Sequence, residues 1–408
     1  MSKCDIKTEA GAEKKLTEKM KTISDIMDSV EKADADAAER AAQRQDKLAK
    51  PPGSLGGLED ISVKMAGITG EINNSIKKTC VIVMCADNGV VQEGVASAPQ
   101  SVTMAQTVNF TRRLTGVGAL SESFGSDLLI VDLGVKDEIP AVFYDTEPLR
   151  DTHKIVNRRL RPGTDNIADG PAMTVGEAVQ CFLTGIEMAD AAKAADFDII
   201  GIGEMGIGNT TTSAAVLSAL LGLDSSETCG RGGGVADRGF MRKKEIVDEA
   251  ARRCRKKLPE GFGAGMADTG KKKEAREYVL RVLAEVGGFD ICAMAGAFIG
   301  AARNRMPVVI DGFISVVAAL AAYMMVPASA DYMFASHKSW ENGYSRAVEA
   351  LGLKPFLELD MRLGEGSGCP IAFEVIRGAC DVMNNMATFE EAEINDGYLE
   401  EVRKGGCF

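Results

Sequence analysis

A chain of 408 residues with 45% apolar content can bury two or three domains' worth of core, and its composition is that of a soluble globular protein. Acidic residues outnumber basic ones by 59 to 47, a formal charge of −12, which argues against a nucleic-acid surface and requires any phosphate site to be built locally. Ten scattered cysteines without a CxxC pair, and only two histidines (His153 and His337), argue against zinc or iron–sulfur centres and for free thiols in a reducing cytosol.

The polar start, MSKCDIKTEAGAEKK, has no signal-peptide pattern. Residues 10–46 predict helix, because Leu16, Met20, Ile23, Ile26, Met27 and Val30 recur mostly at three- and four-residue steps; from Ala33 the composition is that of a solvent-facing helix or two. The prolines of Lys50-Pro51-Pro52-Gly53-Ser54-Leu55-Gly56-Gly57 stop this region, and a helix restarts over 58–72. That turn suits either a linker or a loop approaching a ligand.

From Thr79 the pattern alternates between strand and helix. Apolar runs at 80–85, 128–131, 197–201 and 307–310 predict buried strands of a parallel sheet, and three of them end in Asp87, Asp132 or Asp311 just before a glycine. Loops at the carboxyl ends of parallel strands form the ligand crevice, so these aspartates are candidates to converge there. Helices are predicted over 104–120, over 175–195 behind the capping box Thr174-x-x-Glu177, over 243–257, over Phe289–Arg303 and over 371–382. The charge-free run 312–330 is Ala-rich and broken by Pro327, which predicts a buried helix and not a membrane span. Residues 390–408 predict a frayed tail.

Two glycine loops carry the chemistry. In the first, Gly201, Gly203, Gly206 and Gly208 surround Glu204, and Asn209-Thr210-Thr211-Thr212 then opens an apolar helix. Strand, glycine loop and hydroxyl-rich helix start aim N–H groups at one spot, the arrangement that binds a phosphate. A plain turn with glycines for packing is the competing reading. The second loop, Arg362-Leu363-Gly364-Glu365-Gly366-Ser367-Gly368, again holds one glutamate and leads into a helix. If both loops face one crevice, the site has two carboxylates, an anion cradle and Arg362, with Lys243 as a further cation. Such a set suits displacement at an anomeric carbon, where one carboxylate stabilises an oxocarbenium-like state and another deprotonates the nucleophile, with no metal or cofactor. Gly201-x-Gly203-x-x-Gly206 also spells a dinucleotide fingerprint. An NAD-dependent Rossmann oxidoreductase is disfavoured, since the following helix reaches Leu221-Gly222-Leu223-Asp224 with no β-rich strand before the aspartate.

KPPGSLGGLE, ADNGVVQEGVASAPQSVT, GTDNIADGPAMT, GIGEMGIGNTTT, VGGFDICAMAGA, PVVIDGFIS, ASHKS and RLGEGSG occur in an order that resembles the nicotinate-nucleotide–dimethylbenzimidazole phosphoribosyltransferases, over roughly residues 50–389. The resemblance implies a Rossmann-like parallel sheet flanked by helices, with a smaller helical domain built from the chain ends: residues 1–75, a large α/β domain over 76–345, and a C-terminal segment over 346–408. It implies a cytoplasmic homodimer that transfers phosphoribose from nicotinate mononucleotide to a benzimidazole nitrogen in cobamide assembly, with neither nucleic acid nor membrane as partner. By motif position, Glu365 resembles the general base, and Glu204 and Lys243 the pair assisting near the ribose. Gly206, Ser339, Arg362, Gly364, Gly366 and Gly368 resemble phosphoribosyl contacts, beside Asn209 and Thr210 of the cradle. Gln92, Gln100 and Met205 resemble the base pocket, with Met84 and Pro52 as further walls. The chain departs from the family at Asn88, where DHG is usual, at Gly233, where GRGTG is usual, and at Ala98, where tyrosine is common. These departures leave the acceptor open between 5,6-dimethylbenzimidazole, another benzimidazole, a purine and a phenol.

Overall fold

The computed structural model describes residues 3–257 and 271–399. Three helices, α1 (Lys3–Asp28), α2 (Ala35–Lys47) and α3 (Gly57–Thr69), lead into β1 (Thr79–Ala86). Helices α4 (Ser101–Thr111) and α5 (Gly116–Phe124) connect β1 to β2 (Asp127–Gly134), and two short strands follow, β3 (Tyr144–Asp145) and β4 (Ile155–Asn157). After α6 (Val175–Ala194) comes β5 (Ile199–Met205). Then α7 (Asn209–Leu221), α8 (Ser225–Thr228), α9 (Asp237–Lys256), α10 (Lys272–Val286) and α11 (Phe289–Arg303) precede β6 (Val308–Ile310). Helix α12 (Phe313–Met325) joins it to β7 (Met333–Ala335), followed by α13 (Gly343–Ala350) and α14 (Gly368–Asn385).

The strands form one seven-stranded sheet in the order β3-β4-β2-β1-β5-β6-β7, and every pairing is parallel. Both central strands, β1 and β5, are buried along their whole length, as a sheet covered on two faces requires. Helix α14 packs on β1, β5 and β6, while α11 lies against β1, β2 and β5 together with α6 and α12. The chain leaves β1 toward β2 and returns to β5 on its other side, so the switch point lies between the two central strands. At the chain ends, Ala41 of α2, Ala66 of α3 and Met383 of α14 form a second, smaller core. Among the described residues, no helix is long and apolar enough to cross a membrane.

Local rules explain most element boundaries. The capping box of α6 is complete, with Thr174 and Glu177 each satisfying the other's backbone N–H. The helix expected over 10–46 is two, because Asp34 caps a new start by accepting from the Ala37 N–H at 2.9 Å. The helix expected over 104–120 is likewise two, since Thr115 caps α5 through the Gly118 N–H at 3.1 Å. Helix α9 begins at Asp237, ahead of the expected 243. Strands β3, β4 and β7 are too short to have announced themselves, and helices α10 and α13 are not among the expected elements. Of the expected frayed tail, 400–408 lie outside the described residues.

The tightest packing is between α6 and α11. A Cβ at Gly185 would overlap the Ala293 carbonyl, and one at Gly296 the Phe182 carbonyl, so the backbones meet where no side chain stands. Gly185→Ala is therefore expected to cost about 1–3 kcal/mol, by overpacking, and to lower the melting midpoint by a few degrees. An unchanged midpoint in thermal denaturation would show that the helices separate freely.

Candidate active site

A cavity of about 260 Å³ opens at the carboxyl ends of β5, β6 and β7. Its walls come from residues 95–98, from α4 at Val102 and Gln106, from 204–210, 231–233 and 311–315, from His337, Ser339 and Glu341, and from 362–365. This is the crevice that a parallel sheet offers at its switch point. Its apolar lining includes Val95, Ala98, Val102, Met205 and Ile207, and its polar lining includes Thr210, Arg231, Ser339, Glu341 and Arg362.

The two glutamates of the glycine loops share this cavity. Strand β5 runs through Met205, so Gly201 and Gly203 belong to the strand and not to a loop. A Cβ at Gly201 would collide with Cys369, and one at Gly203 with the Glu365 carbonyl. Absent side chains at these two positions thus let the second loop settle on the strand, and the GxGxxG spacing makes no dinucleotide turn. Asp311, at the end of β6, fixes that loop by accepting from the Gly366 N–H at 3.0 Å and the Gly368 N–H at 2.7 Å. Gly364, Glu365 and Gly366 all have positive φ (87°, 66° and 87°), strained for the glutamate alone.

Glu204 is buried and accepts from the Asn209 side-chain amide, which also donates to Asp290 at 3.0 Å. Burial, reinforced by the charges of Asp290 and Asp311, pushes its carboxyl up to about 8. Asp290, in the first turn of α11, is pushed up to about 7 by burial. Near neutrality Glu204 is thus held mostly as the neutral acid, which removes the conflict of a carboxylate beside an anion cradle. Burial also raises Glu365, opposed by the N–H groups of Val117 and Gly116 at the start of α5. Its carboxylate accepts from Val117 at 3.1 Å and from the Gln106 amide at 3.4 Å.

Lys243 does not line the cavity. It is fully buried behind it, where its Nζ donates to Thr210 Oγ1 at 2.9 Å and to the Gly230 carbonyl at 3.0 Å. An ammonium only donates, so Thr210 accepts there and keeps its own proton for a ligand. Lys243 therefore acts through Thr210, with burial pulling its pKa down.

Among the other expected residues, Met205, Gly206, Asn209, Thr210, Ser339, Arg362 and Gly364 line the cavity with Glu204 and Glu365. Gly366 and Gly368 do not; their N–H groups are committed to Asp311. Gln92 and Gln100 line a different cavity with Lys136, Arg161 and Asn166, and Met84 is sealed inside β1. The turn at 50–57 and its Pro52 lie away from the cavity; Lys50 pairs with Glu59 at 2.7 Å, and Glu59 also accepts from the Gly53 and Leu55 N–H groups. Of the three strand-end aspartates, only Asp311 reaches the cavity. Asp87 is tied to Thr103 and the Lys136 N–H, and Asp132 to the Gly134 and Val135 N–H groups.

Sequence reasoning did not point to Gln106, Glu341 or Asp290. Asp290 carried a usable signal, as the lone acid of an otherwise apolar helix. Asn88 is buried beneath the cavity, its amide oxygen accepting from Thr212 at 3.2 Å, while Ala98 stands in the wall itself.

Both raised carboxyls bind protons in the folded state where the unfolded chain, near its ordinary 4.5 for glutamate and 3.8 for aspartate, has lost them. Folding takes up protons between those limits, so the stability these two groups contribute is fullest below about pH 4 and is lost as pH rises toward about 8. Glu204→Gln is expected to flatten that fall by a few kcal/mol, at about 1.4 kcal/mol per pH unit. Chemical denaturation from pH 5 to 8 measures it. A profile parallel to the parent's would show that Glu204 titrates normally.

A family model described as phosphoribosyltransferase matches residues 30–394. The nicotinate-nucleotide–dimethylbenzimidazole phosphoribosyltransferase of Clostridium perfringens is 47% identical over 387 residues, covering 95% of this chain and 99% of its own. The enzyme of that name from Clostridium tetani is 42% identical, covering 94% and 99%. The crystal structure of CobT from Thermus thermophilus superimposes with a TM-score of 0.79 at 37% identity, covering 89% of this chain and all (100%) of that one. With these matches, and with the sheet and cavity described above, the chain belongs to the nicotinate-nucleotide–dimethylbenzimidazole phosphoribosyltransferase family.

Proposed function

We propose that this enzyme transfers the phosphoribosyl group of nicotinate mononucleotide to 5,6-dimethylbenzimidazole, giving α-ribazole 5′-phosphate and nicotinate for cobamide assembly. The observation that carries the reading is the meeting of Glu204 and Glu365 in one cavity lined by both apolar and polar residues. A flat base fits between Val102, Ala98 and Met205, with Glu365 and Gln106 at its edge. The phosphoribosyl group fits against Thr210, Ser339 and Arg362.

One benzimidazole nitrogen attacks C1′ with its lone pair as the bond from C1′ to the pyridinium nitrogen breaks. The leaving pyridine keeps that electron pair and departs uncharged at nitrogen. The second benzimidazole nitrogen loses its proton to Glu365, whose burial raises its affinity for protons. Attack from the face opposite the leaving group inverts C1′. The donor's pyridinium cation favours the ionised form of Glu204, and the carboxylate then faces the positive charge spreading over the ribose. Lys243 orients Thr210 from behind.

Ala98 in the wall leaves more room beside the base than a tyrosine would, so purines and other benzimidazoles are alternative acceptors. A phenol would hand Glu365 an O–H proton instead. A cytosolic homodimer completes the reading, with a small domain formed by both chain ends, and the joint core of α2, α3 and α14 supports that domain.

Incubation with nicotinate mononucleotide and a panel of benzimidazoles, adenine and phenols, followed by mass analysis, is expected to give the α-riboside phosphate of 5,6-dimethylbenzimidazole. Glu365→Gln should keep donor affinity and lose turnover by on the order of a hundredfold. Full turnover in that variant would remove Glu365 from proton transfer.

A further inference from the structure

Two helices begin at the same place beside the cavity. Helix α7 starts at Asn209 and α11 at Phe289, and Asp290, in the first turn of α11, meets the Asn209 side chain. The Asn209 amide nitrogen donates to Asp290 Oδ2 at 3.0 Å and also to Glu204 Oε2. One NH2 group thus joins an acid of the cavity wall to an acid outside it. Asp290 Oδ1 accepts from the Ile291 N–H at 3.0 Å. Glycines hem in both carboxyls: a Cβ at Gly364 would collide with Glu204 Oε1, and one at Gly288 with Asp290 Oδ1.

Glu204 and Asp290 are both buried, and among the described residues neither makes an ion pair. The ionisable groups that face them are acids and thiols. Asp311, at the end of β6, faces Glu204, and Glu365 approaches it through its backbone N–H. Asp87, after β1, faces Asp290, and the thiols of Cys85 in β1, Cys181 in α6 and Cys292 in α11 lie around the pair. Burial pushes those thiols up, so they stay uncharged near neutrality. Two carboxylates without a cation do not both ionise readily in such a place, so the pair keeps a proton. The start of α11, with its N–H groups and the positive end of its dipole, favours the charge on Asp290. The proton then rests on Glu204, in keeping with a carboxyl pushed up to about 8 there and about 7 at Asp290.

Resting on the reaction proposed above, we propose that Asp290 is a positioning residue that acts through the Asn209 amide on Glu204, keeping it neutral in the empty cavity and making its ionisation conditional on a cationic donor. A neutral Glu204 does not repel the phosphate of an incoming nucleotide. The pyridinium ring then supplies the positive charge that both acids lack, Glu204 ionises, and its proton passes to solvent. Charge balances, since the donor ring brings one positive charge and the site releases one. The cavity thereby distinguishes a nucleotide with a cationic base from a sugar phosphate alone.

The test counts protons, by calorimetric titration at about pH 7.5 in buffers of different ionisation enthalpy. Nicotinate mononucleotide is expected to release about half a proton or more beyond what ribose 5-phosphate releases, since the two share a phosphate and differ in the cation. Asp290→Asn removes the charge that holds the proton on Glu204, so that excess should fall to about a quarter of a proton or less. The rise of donor affinity with pH should move about one pH unit or more lower in the same variant. An excess as large as the parent's, no excess in the parent, or a uniform loss of affinity with the pH profile unmoved would overturn the assignment. If Asp290→Asn does not fold, the carbon-13 resonance of the Asp290 carboxyl decides. It should show two inflections with pH in the parent, and Glu204→Gln should remove the upper one. A single inflection in the parent, or an upper one that survives in the variant, would overturn the assignment. A parent that binds the donor without forming product counts against the proposed reaction alone, and one that binds no donor leaves the carboxyl titration to decide.

Discussion

The seating of the late glycine loop on strand β5 is the constraint from which the rest of the site follows. Asp311 ends the neighbouring strand and takes two N–H groups of that loop, while Gly201 and Gly203 leave the strand surface bare enough for the loop to reach it. Glu365, more than 150 positions later in the chain, is thereby placed beside Glu204. No direct attraction joins the two carboxyls. They are brought together by backbone hydrogen bonds and missing side chains, which cost no charge and fix position better than an ion pair would.

Burial then gives the two acids their character. Glu204 and Asp290 share the Asn209 amide as a donor, both are buried, and each holds a proton far above its ordinary range. Glu365 is raised as well, yet it receives N–H groups from the start of α5, which keep its ionised form accessible. In the proposed reaction, the first carboxyl answers the charge on the sugar and the second takes a proton from the base. Lys243 and Thr210 are joined by the same indirect means, a buried cation orienting a hydroxyl of the cavity wall.

Much of this was legible in the sequence. Continuous apolar runs give the parallel strands, and glycines around a lone glutamate mark both loops, because that pattern has few other uses. The spacing could not show that Gly201 and Gly203 sit inside a strand, since their reason is the loop at Glu365 and the helix behind it, which arrive much later in the chain. For the same reason Gly366 and Gly368 read as ligand contacts when their N–H groups serve Asp311. Gln92 and Gln100 lie in the same block as Ala98, but that loop turns and faces them into another cavity. Glu341 gave no sign, because one acid in a polar loop looks like any other until the fold leaves its oxygen without a partner.

A structure of the enzyme with α-ribazole 5′-phosphate bound tests the arrangement most directly. The expected result places C1′ between Glu204 and Glu365, the base against Val102 and Met205, and the phosphate toward Ser339 and Arg362. Product lodged in the cavity of Gln92 and Gln100, or with the two carboxyls turned away from its sugar, would contradict it.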